Sequence, residues 1–282
     1  MNRDSNFYTF LFVGIMIVGI ASILAFTSQK LKPMQDENVK NEKMQNILST
    51  VGINVSRDEA EESYKRFITQ ELALKIDGSI NENINPFSDL NLAKELKKDY
   101  KDQHFPLYVA EINSEKYYII ELRGTALWDA IWGYISLKSD FNTVNGVSFD
   151  HKGETAGLGA EITKEWFKES FKDEKIFDNE GKLVGITVLK GNNDPNNSDK
   201  DDHEVDAISG STITGDGVTD MIYERINNYL PYLTIINEKE TLIYVLCVYG
   251  VYFFIFIILK LQNNHFGTFK AADHSRSDKM AR

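Results

Sequence analysis

Two stretches of the chain carry no charge at all, and they frame everything between them. Phe7 to Phe26 (FYTFLFVGIMIVGIASILAF) is an apolar run of 20 residues. At a rise of about 1.5 Å per residue it matches a hydrocarbon core about 30 Å thick, which predicts a transmembrane helix over 7–26. A cleaved signal peptide is the competing reading. The run is longer than an ordinary signal core, the side chains of the leader MNRDSN carry no net charge, and no A-x-A site follows, so an uncleaved anchor is expected. Thr241 to Leu259 (TLIYVLCVYGVYFFIFIIL) is a second such run. It shows no polar face, as a half-buried core helix would, and predicts a second span over 241–259.

Between the spans the pattern changes twice. Leu31 to about Leu74 spaces Met, Ile, Leu and Val among Glu, Lys, Asn and Gln, the pattern of amphipathic helices. A helical stalk leaving the membrane is expected there. From Pro106, LYVAEI and KYYIIEL flank Asn113-Ser114-Glu115 and predict a hairpin, since β-branched and aromatic residues dominate around a short turn. GKLVGITVLKG (Gly181 to Gly191) predicts a further strand, whereas Lys164 to Lys172 and Val218 to Tyr229 have helical spacing. Asn192 to His203 is polar and aperiodic, an exposed loop. The expected fold class is α+β with mixed strands. Its expected divisions are an N-terminus 1–6, a span 7–26, a stalk and the start of the extracytoplasmic region 27–105, a compact domain 106–236, a second span 241–259 and a basic tail 260–282.

Basic residues orient the spans. The tail carries Lys260, Lys270, Arg276, Lys279 and Arg282, which keeps it cytoplasmic. With two spans the N-terminus shares that side, and Thr27 to Glu240 faces the opposite one; Lys30 and Lys32 oppose this orientation.

Composition narrows the chemistry. The 282 residues are 42% hydrophobic and 26% charged, with a formal net charge of -11, so the concentrated basic surface that a nucleic-acid duplex demands is not expected. The single cysteine, Cys247, lies in the second apolar run. A disulfide, a thiolate-ligated cluster or a zinc site in the polar region is therefore not expected, and a redox centre there is organic. The five histidines, at 104, 151, 203, 265 and 274, show no metal-ligand spacing, and no metal site is assigned.

The segment most suggestive of chemistry is Asp206 to Thr214, D-A-I-S-G-S-T-I-T, followed by glycines and a helix expected near Val218. Small side chains and free N–H groups before a helix form a plausible phosphate cradle, because the first helical turn has unpaired donors and a positive dipole end. A Ser/Thr-rich N-cap and loop explains the same composition. The segment lacks the spacing of a P-loop or of G-x-G-x-x-G.

D-A-I-S-G-S-T closely resembles the flavinylation signal D-x-x-S/T-G-A-T of FMN-binding domains. In that signal a flavin transferase esterifies the FMN phosphate to the last threonine, here Thr212. Gly124 to Leu137 (GTALWDAIWGYISL) and His151 to Ile162 (HKGETAGLGAEI) resemble the G-x-G-L-W and H-x-E-T-P-G-L-G-x-E-I segments of the C subunit of the Na+-translocating NADH:quinone reductase, in the same order. With the anchor and Asn228 to Leu233 (NYLPYL), the resemblance covers most of the chain through about Leu233. Ser211 stands where the signal usually has alanine, and Ala156 where the loop usually has proline. The first change adds a possible second acceptor and the second loosens a loop.

The resemblance implies an FMN-binding domain at 106–236 with FMN held covalently through its phosphate on Thr212. Asp206, Ser209, Gly210, Ser211 and Thr214, with Glu154, Thr155, Gly157, Leu158 and Gly159, would line the flavin. Gly157 and Gly159 would admit the ring closely. Trp128 and Trp132, four apart, would share a helical face near the flavin or belong to the core. His151 and Glu154 are expected to hold their loop, with no catalytic residue assigned; Asp206 would be read by the transferase or would bond its own turn.

The function implied is relay of electrons toward quinone within a Na+-pumping complex of the bacterial inner membrane, with the flavin domain on the extracytoplasmic side. NADH oxidation belongs to another subunit, since this chain has no dinucleotide fingerprint. The implied partners are the membrane flavin and iron-sulfur subunits of that complex, and the flavin transferase during maturation. Two alternatives stand beside this reading: the G subunit of the Rnf ferredoxin:NAD oxidoreductase complex, and a membrane-anchored assembly module without a redox cofactor.

Overall fold

The computed structural model of the chain describes residues 6–191, 194 and 197–239. The expected second span over 241–259, the tail 260–282 and Cys247 lie outside the described residues. Two units divide the chain, Met1–Tyr229 and Leu230–Arg282; the described part of the second, residues 230–239, is helical.

The first apolar run opens helix α1 (Asn6–Ser49), 44 residues long. Every side chain from Thr9 to Lys40 is exposed, and among the described residues none covers the most apolar stretch. Such a helix is long and apolar enough to cross a membrane. Pro33 lies within it, where it removes one helical hydrogen bond just beyond the apolar run. Gly52, at φ 79°, ends the following turn in the left-handed region, and the N–H of Ile53 returns to the carbonyl of Leu48 at 3.1 Å.

The helix runs without a break into the folded domain. Met44, Ile47 and Leu48 are buried with Ala60 and Tyr64 of α2 (Ala60–Phe67). Chain texture then changes earlier than the sequence suggested. Residues expected to be helical up to Leu74 instead form strand β1 (Ile68–Lys75), which pairs with β2 (His104–Ile112) from Ile68↔Ala110 to Lys75↔His104. The β-branched pair Ile68-Thr69 and the ladder offered by β2 override the helical tendency of the Glu, Leu and Ala that follow. The sheet thus begins well before Pro106. A short helix, α3 (Leu92–Glu95), lies between the two strands.

The expected hairpin is present. It joins β2 to β3 (Glu115–Thr125), and Asn113 and Ser114 take φ of 53° and 68°, the positive values that a two-residue type I′ turn requires. β4 (Ala130–Leu137) and β5 (Val144–His151) complete a five-stranded antiparallel sheet in the order β1-β2-β3-β4-β5. The strand β4 corrects the expectation for the two tryptophans. No helix carries them: Trp132 lies on β4 and Trp128 in the β3–β4 loop, where its side chain is exposed rather than in the core. Ile131, Ile135 and their aromatic neighbours satisfy a strand pairing with both β3 and β5, which a spacing of four between two aromatics does not reveal.

One face of the sheet presents Tyr108, Ala110, Ile119 and Tyr134 to the end of α1 and to α2. The other face receives α4 (Glu165–Ser170) and α5 (residues 212–229): Phe149 stands 5.2 Å from Phe171, and Phe105 5.7 Å from Tyr229. Only part of the expected strand at 181–191 is regular. It is β6 (Thr187–Leu189), parallel to β7 (Glu204–Asp206).

The helix expected from Val218 opens six residues earlier, at Thr212. Gly215 and Gly217 argue against helix by propensity alone, yet packing requires them. A Cβ on Gly217 would stand 2.5 Å from the carbonyl oxygen of Thr125, and one on Gly215 would stand 3.1 Å from Val188 Cγ1. Glycine lets α5 lie directly on β6 and on the end of β3.

Candidate functional site

The serine- and threonine-rich segment is a strand end, a turn and a helix start. β7 ends at Asp206, and the N–H of Ala207 donates to Leu189 at 2.9 Å. The N–H of Ser211 then closes a turn on Ile208 at 3.0 Å, with Gly210 at φ 78°, a value a side chain would strain. Gly215 N–H donates to the carbonyl of Ser211 at 2.9 Å, which makes Ser211 the N-cap of α5. In such a cap the N–H groups of residues 212, 213 and 214 have no partner within the helix, and they sit at its positive end. The expected capping bond is not made: Ser211 Oγ is enclosed, with the residue 5% exposed, and has no hydrogen-bond partner. Thr212 and Ile213 are exposed, whereas Thr214 is 1% exposed.

Glu154 ties this turn to the rest of the domain. Its carboxylate accepts from Thr214 Oγ1 at 2.7 Å and from the backbone N–H of Trp128 at 3.0 Å. The N–H of Glu154 donates to His151 Nδ1 at 3.1 Å, fixing the loop that leaves β5, as expected of this pair. One carboxylate, 7% exposed, thus clamps the β3–β4 loop, the loop after β5 and the first turn of α5. Gly159 is required by the clamp: its Cβ would lie 2.3 Å from Glu154 Oε2 and 2.6 Å from Thr214 Oγ1. Its small size therefore serves internal packing. Gly157, at φ 76° and with open space around it, lies in the outer part of the loop, where its N–H donates to Glu161 Oε1 at 3.1 Å.

The β3–β4 loop is braced independently. Lys152 Nζ meets Asp129 Oδ2 at 2.7 Å, and this hydrogen bond holds the Asp129 carboxyl below its ordinary pKa. Trp128, 66% exposed, donates from Nε1 to Thr155 Oγ1 at 3.2 Å.

These segments enclose a cleft of about 230 Å³ lined by Leu127, Glu154, Thr155, Leu158, Gly159 and residues 210–214. It unites the sequence-derived residues Glu154, Thr155, Leu158, Gly159, Gly210, Ser211, Thr212 and Thr214 across 60 positions of chain. Asp206, Ser209 and Gly157 stand outside its lining. Asp206 and Ser209 are exposed, and neither side chain makes a hydrogen bond among the described residues, so the turn-bonding role considered for Asp206 is not taken up. Leu127 and Ile213 are lining residues that motif reasoning missed. Ile213 lay inside the motif, masked by its hydroxyl-bearing neighbours; Leu127 is the leucine of the segment that resembles G-x-G-L-W and was not carried over as a lining residue. Leu127, Trp128, Leu158 and Ile213 together leave an exposed apolar rim. Among the described residues no group of His, Cys, Asp and Glu is arranged to hold a metal.

Comparison with known proteins places this geometry. The family model for the FMN-binding domain matches residues 127–227, a span that holds every residue of the cleft. A crystal structure of the C subunit of Na(+)-translocating NADH-quinone reductase from Parabacteroides distasonis is 37% identical, with a TM-score of 0.65 over 72% of this chain and 97% of that one. The chain belongs to the C-subunit family of Na(+)-translocating NADH-quinone reductases. The C subunit of Haemophilus ducreyi is 29% identical over 82% of this chain and 95% of its own length. The crystal structure of NqrC from Shewanella oneidensis, at 23% identity and a TM-score of 0.58 over 71% of this chain and 98% of that one, shares the fold. As a member of the NqrC family this chain has threonine at position 212, the last position of the motif, and departs from the usual motif at Ser211 and Ala156.

Proposed function

We propose that this chain is the FMN-carrying subunit of a Na+-translocating NADH-quinone reductase and that Thr212 Oγ1 holds the flavin as a phosphoester. The observation that carries the reading is the position of Thr212. It is exposed, it lines the cleft, and it is the first residue of α5, where unpaired N–H groups favour a phosphoryl anion. No cation lines the cleft, so these dipoles and the unpartnered Ser211 hydroxyl are the groups suited to a singly charged diester. In the attachment step the Thr212 oxygen bonds to the flavin-side phosphorus of a flavin phosphoanhydride held by the transferase as the anhydride P–O bond breaks; the second phosphate leaves with that oxygen, and the hydroxyl proton is released. Asp206 and Ser209, exposed ahead of the acceptor, are open to recognition by a flavin transferase.

FMN, when bound, supplies a ring that accepts and releases electrons singly. Pockets that enclose a drug-sized ligand hold roughly 300–1,000 Å³. This cleft of about 230 Å³ suits the phosphoryl group and the adjoining chain, with Leu127, Trp128, Leu158 and Ile213 left as an apolar seat for one face of the ring. A ring held on the surface suits electron exchange with neighbouring subunits on the way to quinone. Helix α1 tethers the domain to the inner membrane, and the sequence from about Asn41 to Tyr229 forms the flavin domain. The basic tail supports an extracytoplasmic domain, where a covalent link prevents loss of a cofactor that is hard to replace. The name carried by the relatives favours this complex over the Rnf alternative.

The reading is tested on the full chain expressed with a flavin transferase, beside Thr212→Ala and Thr212→Ser. Wild type should show fluorescence in a denaturing gel and the mass of an added FMN phosphoryl unit. Thr212→Ala should lose both, and Thr212→Ser should retain them in part. A wild-type protein with neither signal would refute the redox reading and leave the assembly module.

A further inference from the structure

The Ser211 hydroxyl is a buried polar group without a partner, in a position where the family signal has no hydroxyl at all. Leaving such a group unsatisfied is destabilising, and a serine that made no bond in the finished protein would leave it less stable than the alanine of the signal. Ser211 has ready bonding opportunities as an N-cap, yet it takes none: it does not accept from the first turn of α5, and its own O–H reaches no carbonyl. It lines the same cleft as Thr212 and is its chain neighbour. A serine hydroxyl reaches three staggered positions by rotation about one bond, so it can turn from its enclosed position toward the cleft without backbone change.

We propose that Ser211 is a positioning residue for the phosphoryl group: once Thr212 is esterified, Ser211 Oγ–H donates to a non-bridging phosphoryl oxygen. This rests on the reading of Thr212 given above and extends it to a residue outside the family signal. Ser211 is enclosed and Thr212 exposed, so the serine acts as a donor to the diester rather than as a competing acceptor. It adds a side-chain donor to the backbone N–H groups of the first turn and narrows the rotation of the linkage from which the flavin hangs.

The test compares wild type with Ser211→Ala, each as the full chain in detergent and each expressed with and without the flavin transferase. Without flavin the variant loses an unsatisfied hydroxyl and should melt about 2–12 °C above wild type. With flavin that advantage should vanish or reverse. The phosphorus-31 resonance of the loaded native proteins should differ between wild type and variant and should coincide after denaturation. An equal melting difference with and without flavin, together with an unchanged native phosphorus resonance, would overturn the assignment and leave Thr212 as carrier. A wild type that takes up no flavin from an active transferase overturns the underlying reading instead.

Discussion

Removing the Glu154 carboxylate should loosen the cleft from three sides at once. Thr214 Oγ1 and Glu154 Oε2 meet at 2.7 Å with both residues buried, and the Trp128 N–H adds a second bond to the same group at 3.0 Å. Hydrogen bonds to a charged partner contribute about 1.5–3 kcal/mol each. In Glu154→Ala both are lost and the Thr214 hydroxyl, 1% exposed, has no acceptor left. The expected cost is about 3–6 kcal/mol, which in a domain of this size lowers Tm by roughly 6–24 °C. Thr214→Val removes one bond and leaves the other, so its cost should be about 1.5–3 kcal/mol. Urea unfolding of wild type, both single variants and the double variant, as full chains without flavin, gives the coupling between the two residues. A coupling of about 1.5–3 kcal/mol is expected for a charge-assisted bond. Values below about 0.5 kcal/mol, the usual error of additivity, would mean that the two side chains do not hold one another and that the clamp is wrongly assigned.

Two further predictions concern the frame that carries the cleft. A Cβ on Gly146 would lie 2.6 Å from the carbonyl oxygen of Thr50, which also accepts from Ser136 Oγ at 2.6 Å and Asn145 Nδ2 at 2.8 Å. Gly146→Ala should therefore push the end of α1 off the sheet at a cost of about 1–3 kcal/mol, visible as a lower urea midpoint. Glu174 is enclosed, and desolvation raises its carboxyl pKa above 4.5 although Lys200 Nζ and Asn197 Nδ2 each bond it at 3.0 Å. The folded state then binds this proton more tightly than the unfolded state, so the contribution is fully present below the ordinary pKa and falls as pH rises through the raised one. Stability of Glu174→Gln relative to wild type should climb as pH rises through and above the ordinary carboxyl range; a constant difference there would contradict the shift.

The parts of this protein legible in its sequence are those written in local pattern. The charge-free run at 7–26, the hairpin turning on Asn113-Ser114 and the order of the motif segments needed no tertiary information. The parts missed depended on partners distant in the chain. Ile68 to Lys75 reads as helix until β2 is beside it. Thr212 reads as loop because Gly215 and Gly217 discourage helix, and their purpose shows only against Val188 and Thr125. Trp128 and Trp132 read as one helical face because a spacing of four fits both a helix and a loop-to-strand passage. The same limit applies to the site. The motif supplied the eight sequence-derived residues of the cleft, but the role of Gly159 as room for the Glu154–Thr214 bond is a property of three segments together.

Four hydroxyls crowd the segment from Ser209 to Thr214, and burial separates them. Thr214 is buried and already bound to Glu154. Ser211 is 5% exposed, so its oxygen is far less open to a transferase than that of the exposed Thr212. Ser209 is exposed but stands outside the cleft, ahead of the Gly210 turn. Thr212 alone among the four combines exposure, a place in the cleft lining and a position at the positive end of α5. Choice of acceptor on this account does not depend on the chemistry of threonine over serine, since the two hydroxyls are alike in kind. It depends on which residue the turn delivers to the first position of the helix. Shortening the turn between β7 and α5 by one residue should then move modification to a different hydroxyl or abolish it, while Thr212→Ser should leave the position of attachment unchanged. Peptide mapping of the flavin-bearing fragment distinguishes these results, and modification that followed threonine out of the first helical position would defeat the explanation.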